Sequence, residues 1–135
     1  MQNIRIIIVD DHEMVIQGLS ALIERNPGFE IVKTYSNGHK AIGEIEEVNP
    51  DIILMDINMP VINGFETSNQ ILSLNPSAKI IMLSMEVKKP YMRKALEIGI
   101  KGFVSKGADI SELIQTIKLV NGGGMSFNNY LQVVD

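Results

Sequence analysis

The stretch Ile52-Ile53-Leu54-Met55-Asp56-Ile57-Asn58-Met59-Pro60 runs an unbroken apolar segment straight into an acid and then a Met-Pro turn. Apolar residues without polar alternation describe a strand buried on both faces, as in a parallel sheet covered by helices on each side. The same texture recurs on either side of this stretch. Ile4 to Val9, Phe29 to Thr34, Ile80 to Leu83 and Gly102 to Val104 also read as strands.

Helical periodicity fills the intervals. Val15, Ile16, Leu19, Leu22 and Ile23 form one stripe, stopped by Asn26-Pro27-Gly28. Ala41, Ile42, Ile45 and Val48 form a second, entered at Asn37-Gly38 and ended at Asn49-Pro50. A weaker third runs from about Gly64 to Leu74, and Tyr91, Ala95, Leu96 and Ile98 mark a fourth closed by Gly99. Ile110, Leu113, Ile114, Ile117 and Val120 mark the fifth, with Asp109 or Ser111 as its cap and Gly122-Gly123-Gly124 as its end. Alternating strand and helix predict an α/β fold with an open, doubly wound parallel sheet and right-handed crossovers. Periodicity leaves the strand order open.

The bulk properties narrow the class. A chain of 135 residues, 45% hydrophobic and 21% charged, is sized and composed for one globular domain. Twelve basic against sixteen acidic residues give a net charge of −4, which disfavours nucleic-acid binding by this domain alone. Without cysteine there is no disulfide framework, thiolate metal site or cysteine nucleophile. The apolar runs are too short to span a bilayer, and Met1 to Arg5 enter the first strand without a signal-peptide pattern. The expectation is a cytoplasmic protein with no membrane partner.

Chemistry gathers where the strands end. Asp10-Asp11 follow the first, Asp56 the third, Ser84 the fourth and Lys106 the fifth. In a parallel sheet these ends share one edge, where ligand sites lie. Three ionised carboxylates held together repel, so one takes a proton or a cation compensates. An oxygen-rich set favours a hard ion, Mg2+ above Ca2+. A carboxylate is a nucleophile for acyl phosphate formation, and a lysine and a hydroxyl beside it can meet phosphoryl oxygens. Taken singly, an Asp after a strand is most simply a helix cap, and Asp11 alone reads as the cap of the first helix. Ser84 alone is a turn residue and Lys106 alone a solvated charge. Their occurrence together favours the functional reading.

At these residues the sequence resembles the response regulator receiver family. The resemblance rests on Asp10-Asp11, on Asp56-Ile57-Asn58-Met59-Pro60 with Asn63-Gly64 after it, and on Ser84, Phe103 and Lys106. It covers about residues 4 to 121. It implies a flavodoxin-like (βα)5 fold with strand order 2-1-3-4-5. It also implies phosphorylation of Asp56, with Mg2+ bound by Asp11, Asp56 and the backbone carbonyl of Asn58, and by Asp10 through water. Lys106 would pair with the phosphate, Ser84 would hydrogen-bond it, and Phe103 would rotate inward as Ser84 moves. Asn58 and Glu86 would tune dephosphorylation. Asp10-Asp11-His12 and the glycine-rich ending resemble the NarL/FixJ subfamily, whose receivers usually precede a LuxR-type helix-turn-helix domain. His12 and His39 read as surface residues. Gly107 stands where many receivers carry a proline after a cis bond.

The expected protein is therefore a signalling module and not an enzyme with an external substrate. Residues 1–121 form the receiver, and 122–135 begin a linker toward a C-terminal domain absent from this chain. Its partners would be a sensor histidine kinase and, on phosphorylation, a second copy of itself. Dimerisation would use the first and fifth helices, or the face of the fourth helix, fifth strand and fifth helix, with Leu119 beside the stripe. DNA would enter only through the absent domain; the alternative is a stand-alone receiver or phosphorelay component. A dinucleotide site is disfavoured because Asp10-Asp11-His12-Glu13 replaces the glycines that turn needs. No GxxxxGK[ST] motif is present, and the adjacent Asp10-Asp11 is not the DxD of a haloacid-dehalogenase-type phosphatase.

Overall fold

A computed structural model of the chain describes residues 2–127. The elements run β1 (Ile4–Val9), α1 (Glu13–Glu24), β2 (Phe29–Tyr35), α2 (Gly38–Val48), β3 (Ile52–Asp56), α3 (Gly64–Leu74), β4 (Ile80–Ser84), α4 (Lys89–Ile98), β5 (Gly102–Ser105) and α5 (Ile110–Asn121). All neighbouring strands are parallel, in the order β2-β1-β3-β4-β5. The order therefore reverses between β1 and β3, and the gap this leaves at their carboxyl ends is where such sheets bind ligands.

Both faces of the sheet are apolar. Ile7, Val9, Ile53, Met55, Ile80, Met82 and Phe103 share one core with Ala41 and Ile45 of α2, Phe65 and Ile71 of α3, and Met92 and Ala95 of α4. Their strand neighbours Ile6, Ile8, Ile52, Leu54, Ile81, Leu83 and Val104 pack with α1 and α5 through Ile16, Ile23, Leu113, Ile114, Ile117 and Val120. Side chains alternate across a strand, so a two-sided core requires the continuous apolar runs seen in the sequence.

Local signals set the boundaries. Asn37 caps α2 by accepting from the Lys40 N–H at 2.9 Å, and Asn49 ends it with φ 47°. Asn63 and Glu66 exchange side-chain-to-backbone bonds in a capping box that fixes the start of α3. Gly99, at φ 104°, closes α4. Asp109 occupies the position before α5 but makes no side-chain cap bond. Nor does Asp11 cap α1: the cap position belongs to His12, which also makes no side-chain cap bond.

The strands extend slightly past their apolar runs. Asp56 pairs with Leu83, and Ser84 with Ser105, so Asp56 and Ser84 are last rungs of the ladder and not loop residues. Polar side chains at the rim keep backbone pairing while leaving the apolar core. Beyond α5, Ser126 bridges to Gly102 and Phe127 is buried in the core beside Phe103, so this part of the segment lies against the sheet. Residues 128–135, the rest of the stretch expected to begin a linker, lie outside the described residues. No helix among the described residues is long and apolar enough to cross a membrane, and none of their peptide bonds is cis.

Candidate functional site at the carboxyl edge of the sheet

Backbone pairing delivers the expected residues to one place. Asp10 leaves β1 with its N–H donating to the Tyr35 carbonyl at 3.0 Å, and Lys106 leaves β5 with its N–H donating to the Ser84 carbonyl at 2.8 Å. The loop after β3 is folded back tightly. A Cβ on Gly64 would lie 2.1 Å from the Asp56 carbonyl oxygen, so only glycine permits this return path. Within the loop, Val61 has φ 70°, and the Ile62 N–H donates to the Pro60 carbonyl at 2.8 Å. That is the rarer, strained form of a γ-turn, held by an exposed β-branched residue.

The charged centre is compact and largely buried. Asp10 is 0% and Asp56 3% exposed. The Lys106 ammonium donates to Asp10 Oδ2 at 2.8 Å and lies 2.8 Å from Asp56 Oδ1. Asp10 Oδ1 accepts from the His12 N–H at 2.9 Å. His12 Nδ1 lies 3.2 Å from Asp10 Oδ1 and 3.1 Å from Asp11 Oδ1. His12 is exposed as expected, but its ring joins the acidic group, a contact that a surface reading of this residue missed. Adjacency to two acids was the available signal.

Burial is the main cause that pushes the Asp56 carboxyl above its ordinary range; Lys106 opposes it, and the charges of Asp10 and Asp11 reinforce it. Burial also works against the Lys106 ammonium, but its bonds to Asp10 and Asp56 prevail and hold its pKa above the usual lysine value.

A cation fits these residues on two observations. Asp56 Oδ2 is buried and has no hydrogen-bond partner. Asp10, Asp11, His12 and Asp56 each offer a ligand atom, all within 4.8 Å of one another. Asp10 and Asp56 share one ammonium and Asp11 adds a third acid to the group, so carboxylates outnumber the lysine beside them. A hard divalent ion complements that charge and donor set.

The remaining residues are less uniform. Ser84 is buried, but its hydroxyl donates to the Glu86 carbonyl and accepts from the Glu86 N–H, closing a local turn. The Glu86 side chain is exposed and paired with Lys88 at 3.1 Å. Asn58 is exposed, two residues beyond Asp56. Phe103 is already inside, at 1% exposure, so no inward rotation is needed to bury it.

Residues 6–118 match the family model described as the response regulator receiver domain. The chain is 36% identical over 122 residues to the transcriptional regulatory protein DegU of Brevibacillus brevis, covering 90% of this chain and 52% of that protein. It is 37% identical over 122 residues to the transcriptional regulatory protein LnrK of Bacillus subtilis strain 168, covering 90% and 56%. The chain thus spans about half the length of the curated relatives it matches. A solved LuxR-family two-component response regulator from Aurantimonas sp. SI85-9A1 superposes with a TM-score of 0.93 at 32% identity, covering 98% of this chain and 96% of that one.

Proposed function

The chain belongs to the response regulator receiver family of two-component systems, and on that premise we propose that Asp56 is its phosphoryl acceptor. The observation that carries this reading is the buried Oδ2 of Asp56, without a partner and beside the Lys106 ammonium. Among the buried carboxylate oxygens of the described residues, it is the one left open to a new bond.

In the proposed reaction, an Asp56 oxygen attacks the phosphorus of a histidine kinase's phosphohistidine. The Asp56 O–P bond forms, the N–P bond breaks, and the nitrogen leaves on the donor. Lys106 stays within reach of Asp56 to pair with the phosphoryl oxygens, a fixed charge that needs no reorganisation during transfer. Asp11, Asp56, the Asn58 carbonyl and, through water, Asp10 would hold Mg2+, which when bound neutralises charge on the transferred group. Ser84 would exchange its bond to Glu86 for one to the phosphoryl group. Phe103 on the adjacent strand would respond to that move. The exposed Asn58 and Glu86 would set how readily water reaches the acyl phosphate.

Around this core we place a cytoplasmic protein whose receiver unit reaches residue 121, with 122–135 leading toward an output domain. Transcriptional control through a LuxR-type DNA-binding domain follows the relatives' character, with dimerisation on phosphorylation. The test is modification by acetyl phosphate with Mg2+, read by intact mass. The wild type should gain one phosphate and Asp56→Asn none. Efficient modification of Asp56→Asn at another residue would overturn the assignment.

A further inference from the structure

Beyond α5 the chain turns back onto the domain. Gly123, at φ 98°, makes the turn, and the Gly124 N–H donates to the Leu119 carbonyl at 3.0 Å. The Ser126 N–H then donates to the Lys101 carbonyl at 2.9 Å, and the Phe103 N–H donates to the Ser126 carbonyl at 3.2 Å. These bonds bridge Ser126 to Gly102 at the start of β5, the edge strand of the sheet, in the manner of the first rung of an added strand. Phe127, 5% exposed, enters the core that holds Met92, Ala95 and Ile100, with its ring centroid 6.5 Å from that of Phe103.

We propose that this docked segment is the output arm of the switch: Phe127 senses Phe103, and modification of Asp56 loosens its hold. The inference rests on the Asp56 reading above. Phe103 therefore has two attachments to the segment, one through its ring and one through its backbone N–H. It also faces Met82 across the β4–β5 ladder, two residues before Ser84. If Ser84 turns toward Asp56 it must release both of its Glu86 bonds, which frees the turn at the end of β4, the strand that pairs with Phe103 through Met82. The two rings stand near the outer end of the aromatic contact range, roughly 7 Å, so a short retreat of Phe103 separates them. The segment that leads out of the domain is then released at its first anchored residues.

Coupling of this kind is reciprocal, so weakening the dock must favour the modified state. The test is the affinity of the beryllium trifluoride anion with Mg2+, a phosphoryl mimic, measured by titration calorimetry on the whole chain. Phe127→Ala removes the ring, and Ser126→Pro separately removes the N–H that bonds Lys101. Both variants should bind the mimic about three-fold or more tighter than wild type. If either variant, folded by its thermal melt, shows a smaller gain or weaker binding, the coupling is overturned. Failure of the wild type to bind the mimic would instead overturn the Asp56 reading on which it rests.

Discussion

Two lysine–carboxylate clusters lie on this sheet, and the shorter bond belongs to the lesser one. On the β2–α2 surface, Lys33 approaches Glu44 Oε1 at 2.6 Å, and the Tyr35 hydroxyl donates to the same oxygen at 2.8 Å. At the carboxyl edge, Lys106 lies 2.8 Å from both Asp10 and Asp56. The Lys33 side chain is 50% exposed and that of Lys106 only 10%. Water screens the first pair and satisfies whatever the pair leaves open. The second cluster has little such help, so each carboxylate depends on its few protein partners and on any cation the site holds. Burial, and not bond length, separates a surface ornament of charge from a site with unspent reactivity.

Removing Lys106 should break this contrast most strongly. Lys106→Met keeps much of the side-chain volume but leaves two buried carboxylates without their ammonium. A loss on the order of 3 kcal/mol is expected from breaking a buried pair. The cost should be greatest above the raised Asp56 pKa and shrink on acidification, because protonation removes the uncompensated charge. Urea denaturation at several pH values checks this; a loss below about 1 kcal/mol at neutral pH would mean that the edge behaves like the β2–α2 surface.

The same contrast explains what was legible in the sequence. Unbroken runs such as Ile52 to Met55 announced two-sided burial because a covered parallel strand has no polar face. Asp10, Asp11, Asp56 and Lys106 were legible because parallel strands bring their carboxyl ends together whatever the distance along the chain. The strand order was not, since periodicity records which faces are apolar and not which strands are neighbours; the resemblance supplied it. Nor could residue type reveal that the Ser84 hydroxyl is bonded to the Glu86 backbone, that Gly64 is demanded by contact with the Asp56 carbonyl, or that Phe127 folds back onto Phe103. Each depends on where a loop returns in three dimensions. The glycine-rich segment after α5 read as the start of a linker because glycine signals a turn without saying what the chain meets afterwards.

Asp56→Asn tests the buried cluster from its anionic side and should have a smaller, opposite effect. The raised pKa means that the native protein holds this proton at a pH where the unfolded chain has released it. Stability from this group is therefore lost as pH rises from the ordinary carboxylate range through the raised value, and stays lost above it. Removing the charge should stabilise the metal-free protein at neutral pH by about 1 kcal/mol, with the gain fading as pH falls through the raised value and gone below the ordinary carboxylate range. Mg2+ should sharpen the comparison by raising the melting temperature of the wild type more than that of Asp56→Asn. An Asn variant that melts no higher than wild type at neutral pH without Mg2+ would show that the site already compensates its own charge.

The smallest effect should come from the geometrically tighter pair. Lys33→Ala removes a 2.6 Å contact, yet Glu44 keeps the Tyr35 hydroxyl and the solvent. The bond raises the Lys33 pKa through Glu44, so its contribution is complete below the ordinary lysine value and disappears only as pH rises through the raised one. Across neutral pH the variant should therefore lose only a small, constant amount of stability, and lose less at high salt. Chemical denaturation at low and high salt reads both properties. A larger, salt-insensitive loss would place this cluster with the buried one, and distance to a partner would then rank these sites better than access to water does.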